Sequence, residues 1–196
     1  MPRLNDAAPR LAPILVTGPG GRVGAGLRRY WGDRYPLRLF DLQQLPPLGA
    51  HEDVIQGSIG DMAALTAAVE GCRAVVHLAA TADEADFLQH LVPDNVVGLY
   101  NAFEAARLQG VRRFVFASTV QVLLGYPRDT FVRDTDPVWP VSRYACAKAF
   151  GGAMQSCGSC GVNHWSMEGG HRRAPAERAT APEMRPGGDG TKPEGA

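Results

Sequence analysis

Short apolar runs recur along the first three quarters of the chain, each four to seven residues long and separated by a polar or glycine-rich break. Ile14-Leu15-Val16-Thr17 is too apolar and too short for a half-exposed edge strand, so it predicts a buried parallel strand. Leu37-Arg38-Leu39-Phe40, ending at Asp41, predicts a second strand, and Asp53-Val54-Ile55-Gln56-Gly57 a third. Ala74 to Ala80 predicts a fourth, and Arg113 to Thr119 a fifth. Between them the period changes from two to about three and a half. Helices are expected over Arg22–Trp31 and from Asp61, as cap, through Glu70, where Gly71 stops the run. A short helix over Asp83–Leu91, closed by Pro93, should be followed by a longer one over Asn95–Gln109. On that second helix Val97, Tyr100, Phe103 and Ala106 predict an apolar side. A last helix is expected over about Ser142–Met154. Strands alternating with helices argue for βαβ units, and so for an α/β fold with a doubly wound parallel sheet of Rossmann type.

The pattern ends abruptly after Gln155. From Ser156 to Ala196 the only residue among Val, Ile, Leu and Phe is Val162. Such a segment buries too little apolar surface to offset the entropy of ordering it. Three regions follow: a flexible lead-in over residues 1–13, a folded unit over 14–155, and a disordered tail over 156–196. The tail offers no apolar run for a further core strand, so the sheet should be incomplete on its C-terminal side.

Composition narrows the function classes. The 196 residues carry 20 basic and 20 acidic side chains, a formal net charge of zero. Nothing there favours capture of nucleic acid or an anionic membrane. No apolar run approaches the roughly 20 residues needed to span a bilayer, and residues 1–13 lack the apolar centre of a signal peptide. The expected setting is cytoplasmic. Four cysteines are too few and too scattered for a disulfide framework. Cys157 and Cys160 have metal or redox spacing without a second pair, and with His164 and His171 they read as accidental neighbours in a tail, so no metal site is expected. His77 should pack at the end of its strand.

Candidate chemistry sits at the strand ends. Gly18-x-x-Gly21-x-x-Gly24 follows the first strand and opens a helix, which is what a diphosphate requires. The first helical N–H groups lack intrahelical partners, the helix dipole is positive there, and glycines allow close backbone approach. Asp41 ends the second strand about 20 residues on, where a carboxylate bonds a ribose 2′-hydroxyl and repels a 2′-phosphate. NAD is therefore favoured as cofactor and NADP less so, with Arg22 inside the glycine turn as the counterweight. Tyr144 and Lys148 lie four residues apart on one helix face. A cation beside the phenol is expected to lower its acidity constant toward neutrality, and the lysine to hold the cofactor's ribose. Ser118 and Thr119 end the fifth strand, where doubly wound sheets place ligand-contacting groups.

Together these residues resemble the extended short-chain dehydrogenase/reductase superfamily, of the NAD-dependent epimerase/dehydratase type, over about Ile14–Gln155. The resemblance implies a cofactor loop at Thr17, Gly18, Gly21, Arg22, Val23 and Gly24 and a ribose-binding acid at Asp41. It also implies an adenine contact at Asp61 and Met62, a nucleotide-lining segment at Leu78, Ala79 and Ala80, and a structural asparagine at Asn95. The catalytic set it implies is Tyr144, Lys148 and a hydroxyl, with Thr119 the better match by offset and Ser118 beside it. Within the superfamily the similarity runs toward uronate dehydrogenases, carried by Val96-Val97-Gly98-Leu99-Tyr100-Asn101, Phe114-Val115-Phe116-Ala117-Ser118 and Gly125-Tyr126-Pro127. The Asn-His pair that follows the catalytic hydroxyl there is replaced by Val120 and Gln121. The expected activity is NAD-dependent oxidoreduction or epimerisation of a sugar, sugar acid or sugar nucleotide. The alternatives are a non-catalytic NAD-binding protein and an inactive, shortened family member. Resemblance also implies pairing of two copies through the long helix and the tyrosine helix.

Overall fold

The computed structural model describes residues 11–156 and the backbone of residues 163–166. Six strands form one sheet in the order β3-β2-β1-β4-β5-β6, every neighbouring pair parallel. This is the strand order of dinucleotide-binding sheets, with its topological reversal between β1 and β4. The strands are β1 (Ile14–Thr17), β2 (Leu37–Asp41), β3 (Glu52–Gln56), β4 (Ala74–His77), β5 (Arg113–Phe116) and β6 (Asn163–Ser166). All four residues of β1 are buried, as a central strand covered on both faces requires.

Helix α1 (Arg22–Trp31) links β1 to β2, and α2 (Met62–Val69) links β3 to β4. Asp61 caps α2, its Oδ1 accepting from the Ala64 amide at 3.0 Å. Helices α3 (Leu99–Leu108) and α4 (Arg143–Ser156) flank β5 in sequence. The larger core packs Leu15, Phe40, Leu65, Val75, Phe103 and Phe114 with their neighbours. Phe103 and Phe114 stack with centroids 4.3 Å apart.

Three expectations change. The chain does not stop its helix at Pro93: a twelve-residue π-helical stretch, Phe87–Gly98, runs through the proline and continues directly into α3. Its opening turn is wide, with the Leu91 amide reaching the Asp86 carbonyl at 3.1 Å. Proline ends an α-helix by lacking a donor and clashing one turn back, and a wider turn relaxes both constraints. The apolar side of α3 is also displaced. Leu99, Ala102, Phe103 and Ala106 are buried, whereas Val97 and Tyr100 are exposed. Finally, a strand does follow Gln155. Asn163–Ser166 pairs with β5 from Arg113 to Phe116, because strand pairing uses backbone amides and carbonyls that every residue carries. The other positions of the tail, and residues 1–10 of the lead-in, lie outside the described residues, as do the side chains of Cys157, Cys160, His164 and His171.

Candidate functional site

At the carboxyl ends of β1, β2 and β4 lies a cleft of about 210 Å³, lined among others by Gly18, Gly21, Asp41, Leu78, Ala79 and Ala80. Gly18 stands at φ 68°, and a Cβ there would lie 2.7 Å from the Ala79 backbone. Both facts demand glycine. Gly24 is fixed differently: its Cβ would meet the Pro19 backbone at 2.6 Å, so α1 presses directly on the turn. Gly21 precedes α1 with no side-chain cap on the helix, leaving the first-turn amides without a side-chain partner at a point of positive potential. The Asp41 carboxylate faces the turn across the cleft. Its Oδ2 accepts from the Gly20 amide at 3.0 Å and its Oδ1 from the Gln43 amide at 3.1 Å. Donor amides, a helix start and a strand-end carboxylate fit a dinucleotide.

The remaining predicted cofactor residues are placed less directly. Arg22 and Val23 open α1 with exposed side chains. Asp61 is engaged as the α2 cap, and Met62 packs against the core. Asn95 is buried and grips the loop after β4 twice, its Oδ1 accepting from the Thr81 amide and its Nδ2 donating to the Thr81 carbonyl, both at 2.9 Å. Thr81 also donates to Asp94 Oδ2 at 2.6 Å. A larger hollow, about 650 Å³, lies at the opposite end of the strands around Pro13, Pro36 and Asp53. It contains none of the predicted site residues, and the chemistry stays with the smaller cleft.

Beside that cleft, β5 and α4 bring Thr119, Tyr144 and Lys148 together. Ser118 precedes Thr119 at the end of β5, half-buried. Thr119 accepts from the Gln121 amide at 3.3 Å and hydrogen-bonds the Tyr144 phenol. Lys148 is 5% exposed. Its Nζ donates to the Ala117 carbonyl at 3.1 Å and sits 4.9 Å from the Phe116 ring centroid and 5.9 Å from that of Tyr144. Burial brings its pKa down to about 8. The phenol moves the opposite way from expectation. Burial and the Asp83 carboxylate push it above its ordinary value, and the Thr119 hydrogen bond only partly offsets them. The reason is geometric: the ammonium is directed at a carbonyl and at ring faces, and a carboxylate faces the phenol.

Several residues of this end carry no signal in the sequence. Glu84 accepts from Arg143 Nε at 2.8 Å and from the Tyr144 amide at 3.0 Å, tying the loop after β4 to the first turn of α4. Gln121 Oε1 accepts from Ser142 Oγ at 3.2 Å, and Ser142 Oγ in turn accepts from the Ala145 amide at 3.1 Å. His77, as expected at its strand end, is buried, and burial, with a smaller contribution from the Lys148 charge, pushes its pKa down to about 3.

Strand order, glycine turn and the Tyr-Lys helix define a Rossmann-type nucleotide-binding protein. The chain belongs to the NAD dependent epimerase/dehydratase family, whose profile matches residues 14–156. It is 36% identical over 140 residues to the uronate dehydrogenase of Pseudomonas putida, covering 70% of this chain and 52% of that protein. A uronate dehydrogenase of Agrobacterium tumefaciens, solved as a tyrosine-to-alanine mutant complexed with NAD, superposes with a TM-score of 0.70 at 34% identity. That match covers 74% of this chain and 55% of the solved one. The Bordetella bronchiseptica enzyme WbmG, solved with NAD and UDP, superposes with a TM-score of 0.69 at 27% identity, over 80% of this chain and 52% of that one. This chain spans about half the length of the relatives it matches. Among the described residues no helix is long and apolar enough to cross a membrane.

Proposed function

We propose that the chain binds NAD across the carboxyl ends of the strands and interconverts a secondary alcohol and a carbonyl on a carbohydrate. The observation that carries this reading is the meeting of Thr119, Tyr144 and Lys148 beside the glycine cleft. Gly18, Gly21 and the α1 start would hold the diphosphate, and Asp41 the adenosine ribose. NAD, when bound, supplies the hydride acceptor or donor.

The chain's own residues handle the proton. With its pKa raised, Tyr144 is a neutral phenol near pH 7, the form that donates to a carbonyl oxygen as the alcohol forms. Thr119 holds the same oxygen and keeps the phenol aimed. Lys148 is held against Ala117 and the Phe116 ring, one helical turn beyond Tyr144, where its ammonium can serve the cofactor's ribose hydroxyls. Asn95, through Thr81, fixes the loop that walls the cleft. Support for a carbohydrate substrate comes from the uronate dehydrogenase relatives.

The test is NADH absorbance from the purified full chain with NAD and a panel of sugars, sugar acids and sugar nucleotides. Tyr144→Phe should lower kcat by about 10²–10⁴-fold, the range for a lost acid–base group, with NAD affinity unchanged by calorimetry. Turnover that survives the substitution would remove Tyr144 from its role. Silence across the panel with intact NAD binding would make this a non-catalytic nucleotide-binding protein.

A further inference from the structure

Two adjacent carboxylates stand at the reactive end and are treated unequally. Glu84 is paired with Arg143 and spent on the Tyr144 amide. Asp83 has only neutral donors: its Oδ1 accepts from the Glu84 amide at 2.9 Å and from Gln121 Nε2 at 3.4 Å. Among the described residues no ion pair includes it. It is also the one non-glycine residue among them with a positive φ, 66°. Most side chains avoid that conformation, and aspartate tolerates it by bonding locally. The Gln121 that holds it is in turn held by Ser142, so three loops converge on one charge: the one after β4, the one after β5 and the one before α4.

We infer that Asp83 is a specificity-determining residue, a negative charge fixed by Gln121 and a left-handed turn beside the Tyr144 phenol, which makes the site take a sugar whose reacting ring is uncharged and reject a sugar acid. This rests on the oxidoreductase reading above and runs against the substrate named for the uronate dehydrogenase relatives. The charges around the phenol allow it. Arg143 is neutralised by Glu84, and Lys148 is turned to the Ala117 carbonyl and ring faces. A substrate carboxylate brought to Tyr144 therefore meets Asp83 with no free cation from these elements to receive it.

Asp83→Asn keeps the shape and the Gln121 bond and removes the charge. Asp83→Gly removes the charge and the backbone strain together, and both variants are first checked for a cooperative thermal transition. Phenol titration by ultraviolet difference absorbance against matching Tyr144→Phe proteins, without cofactor, should show Tyr144 ionising at lower pH in both. No shift in either variant overturns the placement of the charge. With NAD, the ratio of kcat/KM for galacturonate over galactose should rise on the order of tenfold in Asp83→Asn, the scale of one like-charge contact in a partly exposed site. The same ratio in the unmodified chain should rise with added salt, which screens the repulsion. An unchanged ratio, with both sugars slowed alike, would leave Asp83 a turn former and overturn the specificity claim. If the phenol shifts and neither sugar reacts, the oxidoreductase reading has failed. The ratio of calorimetric binding constants for the same two sugars then decides the claim in the same way.

Discussion

Arg28 on α1 and Lys148 on α4 are both buried cations on helices that flank the sheet, and the molecule handles them in opposite ways. Arg28 donates from Nε and Nη2 to the two oxygens of Glu52 at 2.9 and 2.7 Å, and from Nη2 to the Pro46 carbonyl at 2.8 Å. Glu52 is closed further by the Leu48 amide at 2.6 Å. The hydrogen bond with Glu52 raises the guanidinium's pKa against the opposing effect of burial. Burial pushes the Glu52 carboxyl up, but its bonds to Arg28 and Leu48 more than reverse that. Lys148 has no carboxylate within reach among the described residues and relies on one carbonyl and two ring faces. The difference separates their purposes. A cation that serves only the fold is paired and satisfied. One needed at a reacting site is kept unpaired, at a cost in stability.

Removing each partner should break that symmetry with opposite signs. Glu52→Ala strands a buried guanidinium and should destabilise the chain by about 3–5 kcal/mol, read from urea unfolding. A loss near zero would mean that Arg28 finds another partner and that the contrast is false. Lys148→Met should do the reverse at pH 7, stabilising the fold by up to ~3 kcal/mol while turnover falls, since each depressed pKa unit corresponds to about 1.4 kcal/mol. The sign follows from proton counting. Between about pH 8 and the ordinary lysine value of 10.5, the unfolded chain holds a proton that the folded chain has released. Stability therefore rises with pH across that window. The methionine variant should be flat there by comparison. A variant less stable than the parent at pH 7 would show that the Ala117 and ring contacts fully compensate the charge.

The same two regions differ in how far the sequence discloses them. Gly18 and Gly24 are demanded by backbone geometry, and that demand leaves a mark in residue type at fixed spacing. Asp61 is equally local, because a cap acts three residues ahead. Tyr144 and Lys148 are legible as a pair because one helical turn brings them to one face. Beyond such local rules the pattern is silent. Glu84 lies 60 residues from the amide it holds, and Asp83 lies 38 from Gln121. Nothing in either stretch announces the meeting. The direction of the Tyr144 shift depends on that meeting, which is why adjacency to Lys148 predicted the wrong sign. Pro93 misled for a different reason: a stop signal for α-helix does not apply to a wider turn. Strand β6 was missed because edge pairing can be made by polar residues.

His77 sits between the two cations in kind, buried like both but neutral. It is 2% exposed, packed beside Phe114 and Phe116 at 6.0 and 6.4 Å, and its Nδ1 lies 2.9 Å from Thr17 Oγ1. Thr17 Oγ1 also accepts from the Ala79 amide at 3.3 Å. Its single proton is then the one donated to Nδ1, and the proton of the neutral ring is assigned to Nε2. Protonating His77 would remove that acceptor and loosen β1 from β4 just before the glycine turn. With a folded pKa of about 3 against 6.5 in the unfolded chain, the unfolded state takes up a proton first as pH falls. The contribution is fully present above pH 6.5 and is lost toward pH 3, at about 1.4 kcal/mol per pH unit, or ~2 kcal/mol by pH 5. His77→Gln should be less stable than the parent at pH 7 but lose less on going to pH 5, as read from urea midpoints at the two pH values. Parallel losses in parent and variant would mean that some other group carries the acid sensitivity.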